Sequence, residues 1–199
     1  MNAPLILASA SAARASLLRN AGVNLEIIPA RVDEDEVKIA LRADGAPARD
    51  QADVLAEMKA LAVSRSHPGA LVLGADQILD QSGVTYDKPA NRAEACEQLL
   101  ALRGQRHDLL SAAVIARDGE PIWRHIGRAR LQMRPFSEAF LDQYLDQMGD
   151  AVTQTVGGYM LEGLGAQLFA RVDGDYFTIL GLPLIETLGF LRMHGHLTE

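Results

Sequence analysis

Apolar positions in the first hundred residues alternate between short continuous runs and helically spaced stripes. "PLILAS" (4–9) is a continuous run that predicts a buried strand, and "AARASLLRNAG" behind it is a helix-forming stretch closed by Gly22. "NLEIIPA" is the next predicted strand, whereas the acidic stretch 31–37 and the Ala/Gly/Pro-rich stretch 42–50 predict a loop. A helix is expected over about 50–66, with Ala52, Leu55, Ala56, Lys59 and Val63 on one face. "ALVLGAD" then reads as a buried strand ending at Asp76, "DQSGVTYDKP" as a turn, and about 91–102 as a helix.

Beyond Gly104 the pattern changes. "HDLLSAAVIARDGEPIWRHIGRARLQM" predicts two long strands joined at Asp118-Gly119, a dipeptide suited to a tight hairpin. In "SEAFLDQYLDQM", Ser137 is a natural N-cap, and Phe140, Leu141, Tyr144, Leu145 and Met148 fall on one helical face. "GAQLFARVDGDYFTIL" predicts a strand and turn, and a final helix begins near Pro183. Strand–helix alternation followed by hairpins places the chain in the α/β class. Residues 1–199 read as a single domain, and any division into lobes falls near Gly104.

Composition narrows the function classes. The chain has 199 residues and 48% hydrophobic content, enough for a sizeable core. No run approaches the roughly 18 apolar residues of a membrane helix, and the first residues lack the basic start of a secretory leader. A cytoplasmic location with no membrane partner is therefore expected. Cys96, the single cysteine, cannot form an internal disulfide, and in "AEACEQLL" it reads as a small apolar helix residue. The net charge of −7 argues against general nucleic-acid binding. A small phosphorylated ligand stays compatible, because a few basic side chains dominate the field inside a cleft.

The chemistry-bearing residues are few. Asp76 is the first catalytic candidate, a carboxylate where α/β folds place their reactive groups. At the first strand-to-helix junction, Ser9, Ser11 and Arg14 accompany free helix amides, a combination that seats phosphate. Lys59 interrupts an apolar stripe, so it either snorkels outward or directs its ammonium into a polar cleft. Lys88 follows the turn after Asp76, within reach of it. Glu34 sits amid the acidic "VDEDE" and gains a role only if something singles it out.

Taken in order, "LILASAS..R..LL", "VDE", "LA..KA.AV", "GAD", "KP", "LRGQRHDLLSA", "GYMLEGLGAQLFARVDGDY" and "LGLPL" resemble the Maf family of nucleoside triphosphate pyrophosphatases, from Leu5 to about Leu191. The resemblance implies an elongated mixed sheet with flanking helices, two lobes around a central cleft as in inosine-triphosphatase-like folds, and frequent homodimers. It implies hydrolysis of a nucleotide α,β phosphoanhydride to a monophosphate and pyrophosphate. Ser9, Arg14, Lys59 and Lys88 fall on its triphosphate-binding positions and Glu34 and Asp76 on its acidic ones, Asp76 being the assigned proton acceptor. Lys59 and Lys88 thereby join Asp76 as catalytic residues. Glu34 with Asp76 would hold a divalent cation, and oxygen ligands point to Mg²⁺ or Mn²⁺.

Within the family, Gln77 after "GAD" and Glu162 in "LEG" resemble the 7-methyl-GTP subfamily, while the dTTP/UTP branch carries threonine and glutamine there. A carboxylate accepts from guanine N1–H and N2–H₂, which matches the first branch. Ala13 stands where that subfamily has a bulky aromatic against the base, and Ala15 where it has a second arginine. Alternatives are therefore a dTTP/UTP pyrophosphatase, or a weakly catalytic nucleotide-binding regulator of septum formation. His107, in "GQRHDLL", has no chemical role in this reading.

Overall fold

The computed structural model describes residues 3–198, so the start of the stretch read for a leader lies outside it. Three parallel strands open the fold, two of them short. β1 (Leu5–Leu7) is flanked by β2 (Leu25–Ile27) and by β3 (Val72–Gln81), with α1 (Ala12–Asn20) connecting β1 to β2. α2 (Glu34–Ala43) and α3 (Ala48–Ser64) precede β3, and α4 (Arg92–Leu102) follows a small hairpin partner, β4 (Val84–Tyr86). The long hairpin β5 (Arg106–Arg117) and β6 (Glu120–Met133) adds antiparallel to β3, and β7 (Phe169–Asp173) closes the far edge. The order β2-β1-β3-β5-β6-β7 makes one mixed sheet, with β4 on β3. α5 (Glu138–Met148), a short α6 (Tyr176–Ile179) and α7 (Leu184–Met193) complete the chain.

Local chemistry explains most element boundaries. The hairpin turn has Asp118 and Gly119 both at positive φ, 54° and 80°, as a two-residue hairpin loop requires. Ser137 caps α5 by accepting from the Phe140 amide, and Gly22 takes φ of 78° just beyond α1.

Helices cover both faces of the sheet. On one face α3 packs against Ile78 of β3 and Leu110, Ala112, Val114 and Ala116 of β5. On the other, α1 and α7 cover Leu5, Leu7, Leu73 and Ala75, while α4 and α5 cover Leu79, Leu109, Leu131 and Met133. β3 is central and buried on both sides, which is why its sequence is a continuous apolar run.

Three expectations are corrected. Asp76 does not end its strand: β3 continues to Gln81, because "QILDQ" still pairs with β5 as far as Asp80 opposite Asp108. The turn read into 80–89 contains β4, formed because Ser82 and Gly83 take positive φ and return the chain antiparallel. Of the stretches 31–37 and 42–50 that predict a loop, 34–37 and 42–43 belong to helix α2 and 48–50 to the start of α3; α2 is capped by Asp33, whose side chain accepts from the Glu36 amide at 3.1 Å. Acidic residues in its first turn favour that helix through the positive N-terminal end of the helix dipole. Among the described residues, no helix is long and apolar enough to cross a membrane.

Candidate active site

The site starts from one close approach. Gly74 of β3 has no side chain, and a Cβ there would meet Ala60 N at 2.6 Å and Ala60 Cβ at 2.9 Å, with the Ala56 carbonyl oxygen closer still. α3 therefore lies directly on β3, and Lys59 in the same turn comes down over Asp76, two residues on from Gly74 and on the same face. Lys59 Nζ donates to Asp76 Oδ1 at 2.7 Å and pairs with Glu34 Oε2 at 2.8 Å. The lysine does not snorkel. Both Lys59 and Asp76 are only 7% exposed, whereas Glu34 approaches from the solvent side at the first residue of α2.

Arg14, in the first turn of α1, closes the cluster. It is buried, not exposed, and its Nε donates to the Gly181 carbonyl at 2.7 Å. Its Nη1 donates to Ser9 Oγ at 3.1 Å and to the carbonyl of Ala75, Asp76's neighbour, at 3.0 Å. Burial lowers its pKa, and the charges of Asp76 and Glu34 oppose that shift. Arg14 thus braces three chain segments through Nε and Nη1, and among the described residues its Nη2 donates to no acceptor. The Ser9 hydroxyl also accepts from the Ser11 amide at 3.3 Å, and Ser11 caps α1.

Lys88 joins electrostatically. Partial burial holds its pKa below the usual lysine range, and Arg14 and Lys59 lower it further against Glu34 and Asp76. Its neighbour Asp87 pairs with Lys38 Nζ at 3.0 Å and Arg42 Nη1 at 2.8 Å. Burial would raise the Asp87 pKa, but the hydrogen bonds from Arg42 and Lys38 outweigh it and lower it. An open hollow of about 640 Å³, lined by Arg31, Val32, Asp33, Glu34, Asp35 and Lys38, adjoins the cluster at Glu34.

Of the residues singled out from sequence, Ser9, Arg14, Glu34, Lys59, Asp76 and Lys88 share this neighbourhood. Ala13 is exposed at the start of α1, beside Arg14. Gln77 lies on the opposite face of β3 from Asp76, because successive strand residues alternate sides. There its Nε2 donates to Ser111 Oγ at 2.9 Å and to the carbonyls of Thr178 and Ile179 at 3.1 and 3.0 Å. Glu162 is exposed in a turn and, among the described residues, makes no hydrogen bond or ion pair with the other candidates. His107 is buried, with Nε2 2.7 Å from the Tyr159 hydroxyl, well within the α4–α5 core.

The Asp87 pairs with Lys38 and Arg42 are what the sequence reading missed. Their signal in the sequence is the i, i+4 spacing of Lys38 and Arg42, masked by the acidic and Ala/Gly/Pro-rich stretches on either side.

The donor set suits a hard cation. Among the described residues, none donates to Glu34 Oε1 or Asp76 Oδ2, so each carboxylate keeps one such oxygen after Lys59 has taken the other. Two such oxygens fit Mg²⁺ or Mn²⁺, which draw remaining ligands from water and phosphate. No cluster of three or more His, Cys, Asp or Glu suited to a metal occurs among the described residues.

Comparison with known proteins agrees in one direction. The family model described as "Maf-like protein" matches residues 4–194. The chain is 53% identical over 197 residues to the nucleoside triphosphate pyrophosphatase of Roseobacter denitrificans, covering 99% of both chains. It is 54% identical over 195 residues to the protein of the same name from Caulobacter vibrioides, covering 98% of both.

Proposed function

The chain belongs to the Maf-like family, and on that premise we propose that it is a nucleoside triphosphate pyrophosphatase, cleaving the α,β phosphoanhydride to a monophosphate and pyrophosphate. One observation carries this reading: Lys59 bridges Asp76 and Glu34 at 2.7 and 2.8 Å, with Arg14 and Lys88 in the same field. Three cations facing two carboxylates suit a ligand that is strongly anionic along one edge and accompanied by a divalent cation.

Each group then has a task. Lys88, Lys59 and Arg14 Nη2 neutralise phosphate oxygens, most strongly where negative charge grows as the bridge breaks. Asp76 Oδ2 takes the proton of the attacking water, while Lys59 on Oδ1 fixes the carboxylate's orientation. Ser9 fixes the Arg14 guanidinium through its Nη1 contact. Glu34 and Asp76 are the residues that would hold Mg²⁺ or Mn²⁺, which when bound polarises the phosphate oxygens.

Base choice is assigned to Gln77, across β3 from the Lys59–Asp76 cluster, and to the exposed Glu162, because these two positions resemble the 7-methyl-GTP subfamily. The Gln77 amide nitrogen is committed to Ser111, Thr178 and Ile179, which leaves its carbonyl oxygen as the free group. An acceptor there together with the Glu162 carboxylate favours a base rich in donors, so a guanine nucleotide, 7-methyl-GTP in particular, is the preferred substrate in this reading. A panel of 7-methyl-GTP, GTP, dTTP and UTP with Mg²⁺ or Mn²⁺ and pyrophosphate detection tests it. Cleavage of dTTP and UTP alone overturns the purine preference. Tight binding without pyrophosphate release from any nucleotide overturns the enzyme and favours a binding regulator.

A further inference from the structure

Helix α2 is held in an unusual way for an element that delivers a site residue. None of its ten residues is buried, and Ile39 leaves 67% of its surface exposed. Its apolar anchorage is slight, with Val37 packed part-buried against the α3 core. A helix this short has little stability without tertiary contacts. Charge supplies them. Glu34 at one end meets Lys59, and one turn and two turns later Lys38 and Arg42 converge on the two oxygens of Asp87.

Asp87 therefore joins two elements of the candidate site. Its carboxylate grips α2, which carries Glu34, and its backbone continues into Lys88. Arg42 shows that this closed position has a cost: its Nε and Nη2 are buried and donate to no acceptor among the described residues. Swinging α2 outward would give both nitrogens to water. One carboxylate thus opposes the opening of a weakly packed helix.

We infer that Asp87 is a positioning residue that latches α2 against the Lys88 loop and so keeps the cleft closed around its ligand. The inference rests on reading the Lys59 cluster as the nucleotide site. Without the latch, only a fraction of molecules present Glu34 and Lys88 together, and apparent affinity falls by that fraction while the assembled site still turns over.

The test uses Asp87→Asn, Asp87→Glu and Lys38→Gln/Arg42→Gln in the full chain, with kinetics and backbone hydrogen exchange measured on each. In Asp87→Asn, exchange across 34–43 is expected to rise about tenfold with α3 unchanged. KM should rise about tenfold while kcat moves much less, a split that partial misfolding cannot produce, because misfolding lowers kcat and leaves KM alone. The double variant should behave alike, and Asp87→Glu should restore much of the loss. In the wild type, 0.5 M NaCl should raise KM by screening the pairs, and Asp87→Asn should respond less. Unchanged exchange, or a fall in kcat at constant KM, overturns the latch. If exchange rises as described yet the wild type releases no pyrophosphate, the latch stands and the enzymatic reading fails.

Discussion

Replacing Gly74 with alanine adds one methyl group where α3 lies on β3, and its consequences reach the site. The new Cβ would sit 2.6 Å from Ala60 N and 2.9 Å from Ala60 Cβ, and closer to the Ala56 carbonyl. A comfortable separation is about 3.5 Å, so α3 must retreat by roughly 1 Å. Backbone cannot rotate away as a side-chain tip can, and overpacking of this kind costs about 1–3 kcal/mol. Lys59 rides on the same turn, so its 2.7 Å bond to Asp76 Oδ1 lengthens past the range of a good hydrogen bond. A displacement of about 1 Å in a catalytic group can cost on the order of 10²-fold in rate. Urea unfolding gives the first quantity and pyrophosphate release the second, measured where the variant is still folded. A Gly74→Ala protein within about 0.5 kcal/mol of wild type and equally active would refute the claim that this contact sets the Lys59–Asp76 geometry.

Other expectations follow from the same geometry. Asp76→Asn should lower kcat by about 10²- to 10⁴-fold if Oδ2 accepts the water's proton, and an unchanged rate removes it from that role. Gln77→Thr with Glu162→Gln should shift preference toward dTTP, and an unmoved profile on the nucleotide panel would mean that the base is read elsewhere. Burial lowers the His107 pKa from 6.5 to about 4. The unfolded chain then takes up a proton near pH 6.5 that the fold refuses, so stability present above that pH is lost as pH falls toward 4. Between pH 7.5 and 5 the wild type should lose about 2 kcal/mol more than His107→Leu in urea unfolding, and parallel losses would show that His107 does not carry the effect.

Much of the chain was legible because its signals are local. Asp118-Gly119 specified a hairpin turn and Ser137 an N-cap, since each acts through groups within a few residues. Continuous apolar runs marked β1 and β3, and alternation giving way to hairpins marked the α/β class, while the mixed sheet was what the family resemblance implied. α2 escaped because its helical signal is charge spacing, and its partners lie at Lys59 and Asp87, far along the chain.

By itself, the sequence determined which kinds of group were available: an aspartate in a buried strand, a lysine in an apolar stripe, an arginine at a helix start. How they are used follows from the way the elements pack. The Gly74 contact, set by docking α3 on β3, turned Lys59 inward, and side-chain alternation along β3 put Gln77 and Asp76 on opposite faces of the sheet. Periodicity records which side of its own element a residue occupies. What stands opposite that side depends on strand order and helix docking, which bring together residues as far apart as Arg14 and Gly181.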